Sequence, residues 1–389
     1  MDFWTIITII DWIVFAIVAL TVLYITVFAI ASLFNKHSNV PKSERRNRMI
    51  VLIPAYQNDD TILATVKSIL GQTYPQRLFD VVVISDHQSE ITNFMLAQQP
   101  ITLLKPDFHN STKARSLQYA MNNIPQFKLY DIVVVLDAGN IVLPEFLEDL
   151  NNAYEVAGTK AIQTHRMSKN RDTASAIMDA TFEEINNSIF RRGHVNIGLS
   201  SAIRGTGIAF DFNWFKENIV HCTTTWEDKE LEAMLMRQHI FVDYFDNIWV
   251  FDEKTRRTSD FHEQRTRWAS TQFYAILSNI RYLPGAILNR HYDLIDKILQ
   301  WIIIPRTILM GIILIMSCIL PFIYLSLAIK WWITAAFILF IFAICTPDYL
   351  VDKNWSHAFL KAPFLMLGSV LRMPMLPFIR FMSRNKDKK

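Results

Sequence analysis

MIVLIPAY, from Met49 to Tyr56, decides the fold. Its opening residues are apolar without alternation, the pattern of a strand buried on both faces. A helical stretch, TILATVKSILGQTY from Thr61, follows, and DVVVISD (Asp80 to Asp86) repeats the strand pattern. Short apolar runs alternating with amphipathic helices are what a mostly parallel α/β sheet requires. Outward from this core, ITLLKP from Ile101 reads as a third strand. STKARSLQYAMNNI reads as a helix capped by Ser111 or Thr112, and DIVVVLDAG (Asp131 to Gly139) as a fourth strand. LPEFLEDLNNAYEVAG returns as a helix, AIQTHRM as a strand, and the stretch from Thr173 to Phe190 as a long helix. After Gly205-Thr206-Gly207 come a short apolar piece, IAFDF, a helix DKELEAMLMRQ, and an alternating strand from Val242 to Glu253. A charged segment from Lys254 to Arg265 leads into QRTRW on the next helix.

Ligands of open α/β sheets sit beyond the carboxyl ends of strands. Asp86 and Asp137 both stand there, each after a run of β-branched residues. Either one alone reads equally well as a turn or capping Asp; two ending strands of one sheet favour a nucleotide site. The glycines flanking Thr206 admit a ligand close to the backbone or make an ordinary turn. Glu227 and Asp228 open a helix, where carboxylates also meet the macrodipole. With Gln264, Arg267 and Trp268 downstream, they suit a reaction in which a hydroxyl is deprotonated, a sugar is held by an aromatic face and a phosphate leaves. Glu230 and Glu232 read as helix-surface charges, and the ten histidines show no ligand spacing.

Half of the chain, 51%, is hydrophobic, which directs attention to membrane spans. Trp12 to Phe34 is uncharged over about 23 positions, enough to cross a hydrocarbon layer of roughly 30 Å. Thr307 to Ile329 is a second such run, and Trp331 to Pro347 a shorter third. The first lacks the basic start and small-residue cleavage site of a signal peptide and reads as an anchor. Lys330-Trp331-Trp332 reads as a tight turn at the interface, its lysine snorkelling. Lys42, Arg45, Arg46 and Arg48 follow the first span, Lys297 and Arg306 precede the second, and the tail is basic. That distribution places the middle region and the C-terminus in the cytoplasm. From Phe273 to Leu299, and again from Ala358 to Met382, apolar residues interspersed with Lys and Arg read as interfacial segments, the latter broken by Pro363, Pro374 and Pro377. Cys222, Cys318 and Cys345 form no disulfide or zinc motif. A net charge of +3 is too small to argue for nucleic acid.

From about Met49 to Trp268 the chain resembles the membrane-embedded family-2 glycosyltransferases, the group of cellulose, hyaluronan and poly-N-acetylglucosamine synthases and ceramide glucosyltransferases. Pro54-Ala55-Tyr56 is similar to the family's first-strand motif, Asp86 to its nucleoside-contacting Asp, and Lys113-Ala114 to the element near the phosphates. Asp137-Ala138-Gly139-Asn140 stands at D-x-D, Gly205-Thr206-Gly207 at the acceptor loop, Trp226-Glu227-Asp228 at T-E-D, and Gln264, Arg267 and Trp268 at Q-x-x-R-W. Gly139 replaces the second Asp of D-x-D, Gln57-Asn58 replace N-E, and Trp226 replaces a Thr.

The resemblance implies a GT-A (Rossmann-like) cytoplasmic domain with one N-terminal and about two C-terminal transmembrane helices plus interfacial amphipathic helices. The divisions are an anchor at 1–36, a basic linker at 37–48, the GT-A domain at 49–275, an interfacial region at 276–302, two transmembrane helices at 303–347 and interfacial segments with a basic tail at 348–389. It implies an inverting plasma-membrane (or inner-membrane) transferase that adds a sugar from a nucleotide-sugar, expected to be a UDP-sugar, to a growing polysaccharide through β-linkages. The alternatives are single transfer to a membrane lipid, or a degenerate subunit of an assembly complex. Asp228 is the expected base, with Glu227 positioning it or the acceptor. Tyr56, Asp86, Lys113, Asp137, Gln264 and Arg267 are expected to bind the donor, and Gly205, Thr206, Gly207 and Trp268 the acceptor. Mg2+ or Mn2+ would rest on Asp137 with Asn140 as a second ligand, although one carboxylate of the usual pair is missing. Expected partners are the donor, the acceptor, membrane lipids and export subunits, with no nucleic acid.

Overall fold

In the computed structural model, which describes residues 3–34, 40–125, 127–254 and 257–372, the chain begins with α1 (Phe3–Ala31). Then come β1 (Met49–Tyr56), α2 (Ile62–Leu70), β2 (Phe79–Asp86), α3 (Glu90–Ala97), β3 (Thr102–Leu104), α4 (Lys113–Asn123), β4 (Ile132–Val135), β5 (Ile141–Val142) and α5 (Phe146–Ala157). β6 (Ala161–Ser168) and α6 (Ala174–Asn186) follow, and a π-helical segment, Asn187–Gly193, leads into α7 (His194–Asn196). The second half of the domain holds β7 (Ile208–Asp211), α8 (Phe212–Ile219), α9 (Glu227–Arg237), β8 (Val242–Asp252), α10 (Thr258–Asn279), α11 (Leu283–Leu288) and α12 (Tyr292–Ile302). The chain closes with α13 (Arg306–Ile323), α14 (Leu325–Ile344) and α15 (Lys353–Arg372).

The strands form one eight-stranded sheet in the order β3-β2-β1-β4-β7-β6-β8-β5. β1 runs parallel to β2 and β4, while β7 is antiparallel to both of its neighbours. All five apolar residues that open β1 are fully buried, because one core packs each face. Leu117, Leu231, Leu235, Ile298 and Trp301 cover one side, and Ile62, Val66, Leu147 and Leu150 the other. Register sets Tyr56 opposite Asp86 at the ends of β1 and β2. Thr112, of the two expected caps, closes the start of α4 by accepting from the Arg115 N–H.

A third core joins α1, α6, α13, α14 and α15 through Ile25, Phe182, Leu309 and Trp331. Among the described residues three helices are long and apolar enough to cross a membrane: Trp4–Ala31, Arg306–Ile323 and Leu325–Ile344. At 1.5 Å per residue they are about 42, 27 and 30 Å long. Residues such as Leu20, Leu23, Phe322 and Ile333 face outward from them, as lipid-facing surface requires. α1 meets the π-helical segment at Gly193, where a Cβ would lie 2.2 Å from the Phe28 carbonyl oxygen. Only glycine permits that approach.

Several expectations change here. The first span begins before Trp12 and passes through Asp11, whose carboxylate is buried against the Lys330 ammonium and the Trp331 indole N–H. Lys330-Trp331-Trp332 is therefore not the turn, which falls at Tyr324; Lys330 lies inside α14 with a carboxylate partner rather than snorkelling. Glu232 is not a surface charge. It is fully buried and takes the Lys229 and Lys297 ammonium groups and the Ile203 N–H. Lys297 is correspondingly enclosed, and α12 packs onto the sheet domain through Leu294, Ile298 and Trp301. Pro363 sits within continuous α15. Pro374, Pro377 and the basic tail lie outside the described residues.

Candidate active site

Three of the four most distinctive residues of the sequence share one cavity. Asp228, Arg267 and Trp268 line a space of about 620 Å3, together with Lys113, Glu227, Arg204 and Arg265. The start of α9, a stretch of α10, and Ile303, Ile304 and Pro305 just before α13 all contribute to its lining. α9 starts at Glu227 with both carboxylates in its first turn, where exposed N–H groups favour negative charge.

Lys113, the first residue of α4, joins the two halves of the site. Its ammonium donates to the Asp137 carboxylate and the Gly205 carbonyl oxygen and lies 3.8 Å from Glu227 Oε1. Burial pulls its pKa down, but Asp137 and Glu227 outweigh that and the net shift is upward. Glu227 is enclosed, and burial pushes its carboxyl up to about 7 against the pull of Lys113, with Asp228 adding repulsion. A carboxylate held near neutrality is the condition general-base chemistry needs. Asp228 is less enclosed and accepts from the Lys229 N–H at 2.9 Å.

Asp86 is buried at the end of β2. Its Oδ1 is 2.5 Å from Nδ1 of His87, and its Oδ2 has no partner. Half-exposed Tyr56 sits beside it, 5.7 Å from the His87 ring. His87 was invisible to sequence reasoning because its place depends on a left-handed backbone, φ 56°, that turns the ring back over the strand ends. Gln163 was also missed. It is fully buried, accepts from the Arg204 N–H and donates to the Thr206 and Gly207 carbonyls, fixing the loop from beneath.

Three of the expected residues are held in contacts with the protein itself. The Asn140 Oδ1 accepts from the Asp137 N–H at 2.9 Å and from the Thr206 hydroxyl. Thr206 is buried and ties that loop to the next, so its side chain faces the protein and not an acceptor. Trp268 lines the cavity, but the guanidinium groups of Arg204 and Arg265 stand 3.7 and 4.3 Å from its ring centre; a stacking sugar would have to displace one. Gln264 lies on α10 outside the cavity lining with its Oε1 buried and unpartnered, whereas Arg267 is exposed within it. The absence of the second D-x-D carboxylate also has a cause. Gly139 has φ +107°, a backbone state that side chains rarely adopt. Among the described residues no group of three His, Cys, Asp or Glu could hold a metal ion. Asp137 alone, with its carboxylate partly exposed, fits an ion shared with a ligand's own phosphate oxygens rather than one caged by protein.

A Rossmann-like sheet with acidic groups at its strand ends, and an adjacent acid pair and arginines around one cavity, is the arrangement of the GT-A class of sugar transferase. The chain belongs to the family described as glycosyltransferase like family 2, whose profile matches residues 47–271. Hyaluronan synthase of Streptococcus pyogenes is 25% identical over 132 residues, 32% of this chain; the match spans 31% of the synthase, about a third of its length. A mannosyltransferase from Pyrobaculum calidifontis, solved in complex with GDP-Man and Mn2+, shares the fold at a TM-score of 0.55 and 15% identity, covering 94% of this chain and 97% of its own.

Proposed function

We propose that this glycosyltransferase is an inverting enzyme that moves a sugar from a nucleotide donor to an acceptor hydroxyl at the membrane interface. The observation that carries the reading is the shared cavity of Glu227, Asp228, Arg267 and Trp268, linked through Lys113 to Asp137. The donor's nucleoside would lie over Tyr56 and Asp86 and its diphosphate between Lys113, Asp137 and Arg267, with Gln264 supporting α10. An Mg2+ or Mn2+ ion held by Asp137 and the diphosphate would supply charge neutralisation on the departing group. Asp228 takes the acceptor proton while Glu227, tuned by burial, holds the acceptor in place. Attack opposite the leaving diphosphate turns an α-linked donor into a β-linked product.

The likeness to a hyaluronan synthase supports extension of a polysaccharide; a UDP-sugar donor and a catalytic domain on the cytoplasmic side of the plasma membrane are our reading from the motifs and from the basic flanks of the spans. Single transfer to a membrane lipid is supported by a different observation, the lining of the cavity by residues that lead into α13. The sequence divisions given above remain our proposal for the domains. Incubating the protein in nanodiscs with UDP- and GDP-sugars tests the reading: donor-specific release of nucleoside diphosphate and a product heavier by one or more sugars are expected. No release with any donor, with and without Mn2+ or Mg2+, would instead favour a non-catalytic subunit.

A further inference from the structure

The wall of the cavity nearest the spans carries more positive charge than the donor chemistry uses. Arginines and aromatics alternate along it. Arg204 and Arg265 flank Trp268 at the distances given above. Arg265 then lies 5.1 Å and Arg306 5.7 Å from the Phe182 ring centre, and Arg306 lies 5.7 Å from Phe190. All six side chains line the cavity.

Carboxylates nearby are fewer. Arg265 has Asp179, while Arg204 shares Glu183 with Arg166 and Arg191. Among the described residues Arg306 has no carboxylate partner. Its Nη2 donates to the Phe182 carbonyl at 3.1 Å and to Asn186 Oδ1 at 2.6 Å, and its Nη1 is buried with no acceptor. Burial lowers the Arg204 guanidinium to about 10, only partly countered by Glu183. An enclosed guanidinium with no carboxylate beside it, as at Arg306, is costly until an anion arrives, and an arginine fork matches phosphate oxygens.

We propose that Arg204, Arg265 and Arg306 form a subsite for the phosphate of an anionic lipid acceptor, whose tail leaves along α13. A lipid is favoured over a carboxylated sugar chain because Phe182, Phe190, Ile303, Ile304 and Pro305 make the surrounding wall apolar, and Arg306 is the first residue of a membrane-length helix. The subsite rests on the reading of the cavity as the acceptor side of a transferase and selects the lipid among its acceptors.

The test uses the full chain in nanodiscs, titrated with hexadecyl phosphate, hexadecanol, inorganic phosphate and glucuronate, and separately with UDP and GDP. Hexadecyl phosphate should bind at least about tenfold more tightly than the other three small probes, as a charge-assisted arginine contact requires. Arg306→Ala and Arg306→Gln should each weaken it by about tenfold and Arg306→Lys less, because only the fork is bidentate. Nucleoside diphosphate affinity should stay unchanged in all three variants, which also shows that they are folded. Equal binding of hexadecanol, equal binding of inorganic phosphate or glucuronate, or undiminished hexadecyl phosphate binding in both Arg306→Ala and Arg306→Gln would overturn the subsite. So would a parallel loss of nucleoside diphosphate binding, which would assign Arg306 to the donor. Hexadecyl phosphate binding as expected, with no sugar transferred from any donor, would leave the subsite standing and fault the transferase reading.

Discussion

Replacing Lys113 with Met should move the pH dependence of turnover. The ammonium lies 3.8 Å from Glu227 Oε1, and at an effective dielectric of about 20 a pair at that distance interacts by about 4 kcal/mol, or ~3 pH units. Partial exposure of the lysine and its second partner, Asp137, reduce the felt effect to about one to two units. The sign follows from the charges. Burial already holds Glu227 protonated up to about 7, and removing a cation disfavours the ionised form further. If Glu227 must be ionised to hold the acceptor, kcat/KM for the wild type rises through a limb near pH 7, and in the variant that limb moves alkaline. The assay is nucleoside diphosphate release between pH 5 and 9.5, the range being about two units either side of the wild-type limb. Overall activity falls as well, since Lys113 also faces the donor, but a fall without a shift is a different result. A limb that stays in place would refute the coupling of Lys113 to Glu227.

Gly139→Asp restores the family's second acidic residue at a position with φ +107°. It should lower the thermal midpoint through about 1–3 kcal/mol of backbone strain and leave the Mn2+ response of donor binding unchanged; increased Mn2+ affinity with no loss of stability would contradict this. Lys297→Met strips Glu232 of the buried one of its two cationic partners and should destabilise the protein by about 3 kcal/mol, read by thermal or denaturant unfolding in detergent. The pair Glu232→Gln with Lys297→Met should cost less than Lys297→Met alone, because no buried charge is then left unpartnered.

The sheet was legible because period and composition are local properties. Every strand expected between Met49 and Glu253 is present, and α9 and α10 carry the residues expected on them. Long-range pairing was not legible. Asp11 ended the apolar run on charge alone, yet Lys330, distant in sequence, neutralises it. Glu232 and Lys297 each looked like solvated surface until packing brought them together. At the site, residue types announced the acid pair and Arg267, but not what the side chains would do. Asn140 and Thr206 turn inward because their hydrogen bonds lock two loops together. Arg204, Arg265 and Arg306 come from three separate segments, and no spacing in the chain announces them.

Asp228→Asn tests the account most directly, with turnover and nucleoside diphosphate affinity measured on the same preparation. Loss of a positioned base predicts a fall in kcat of about 10²- to 10⁴-fold with donor affinity preserved, because we assign Asp228 to the acceptor and not to the donor in the cavity it shares with Arg267 and Trp268. Near-normal turnover in that variant would contradict the account.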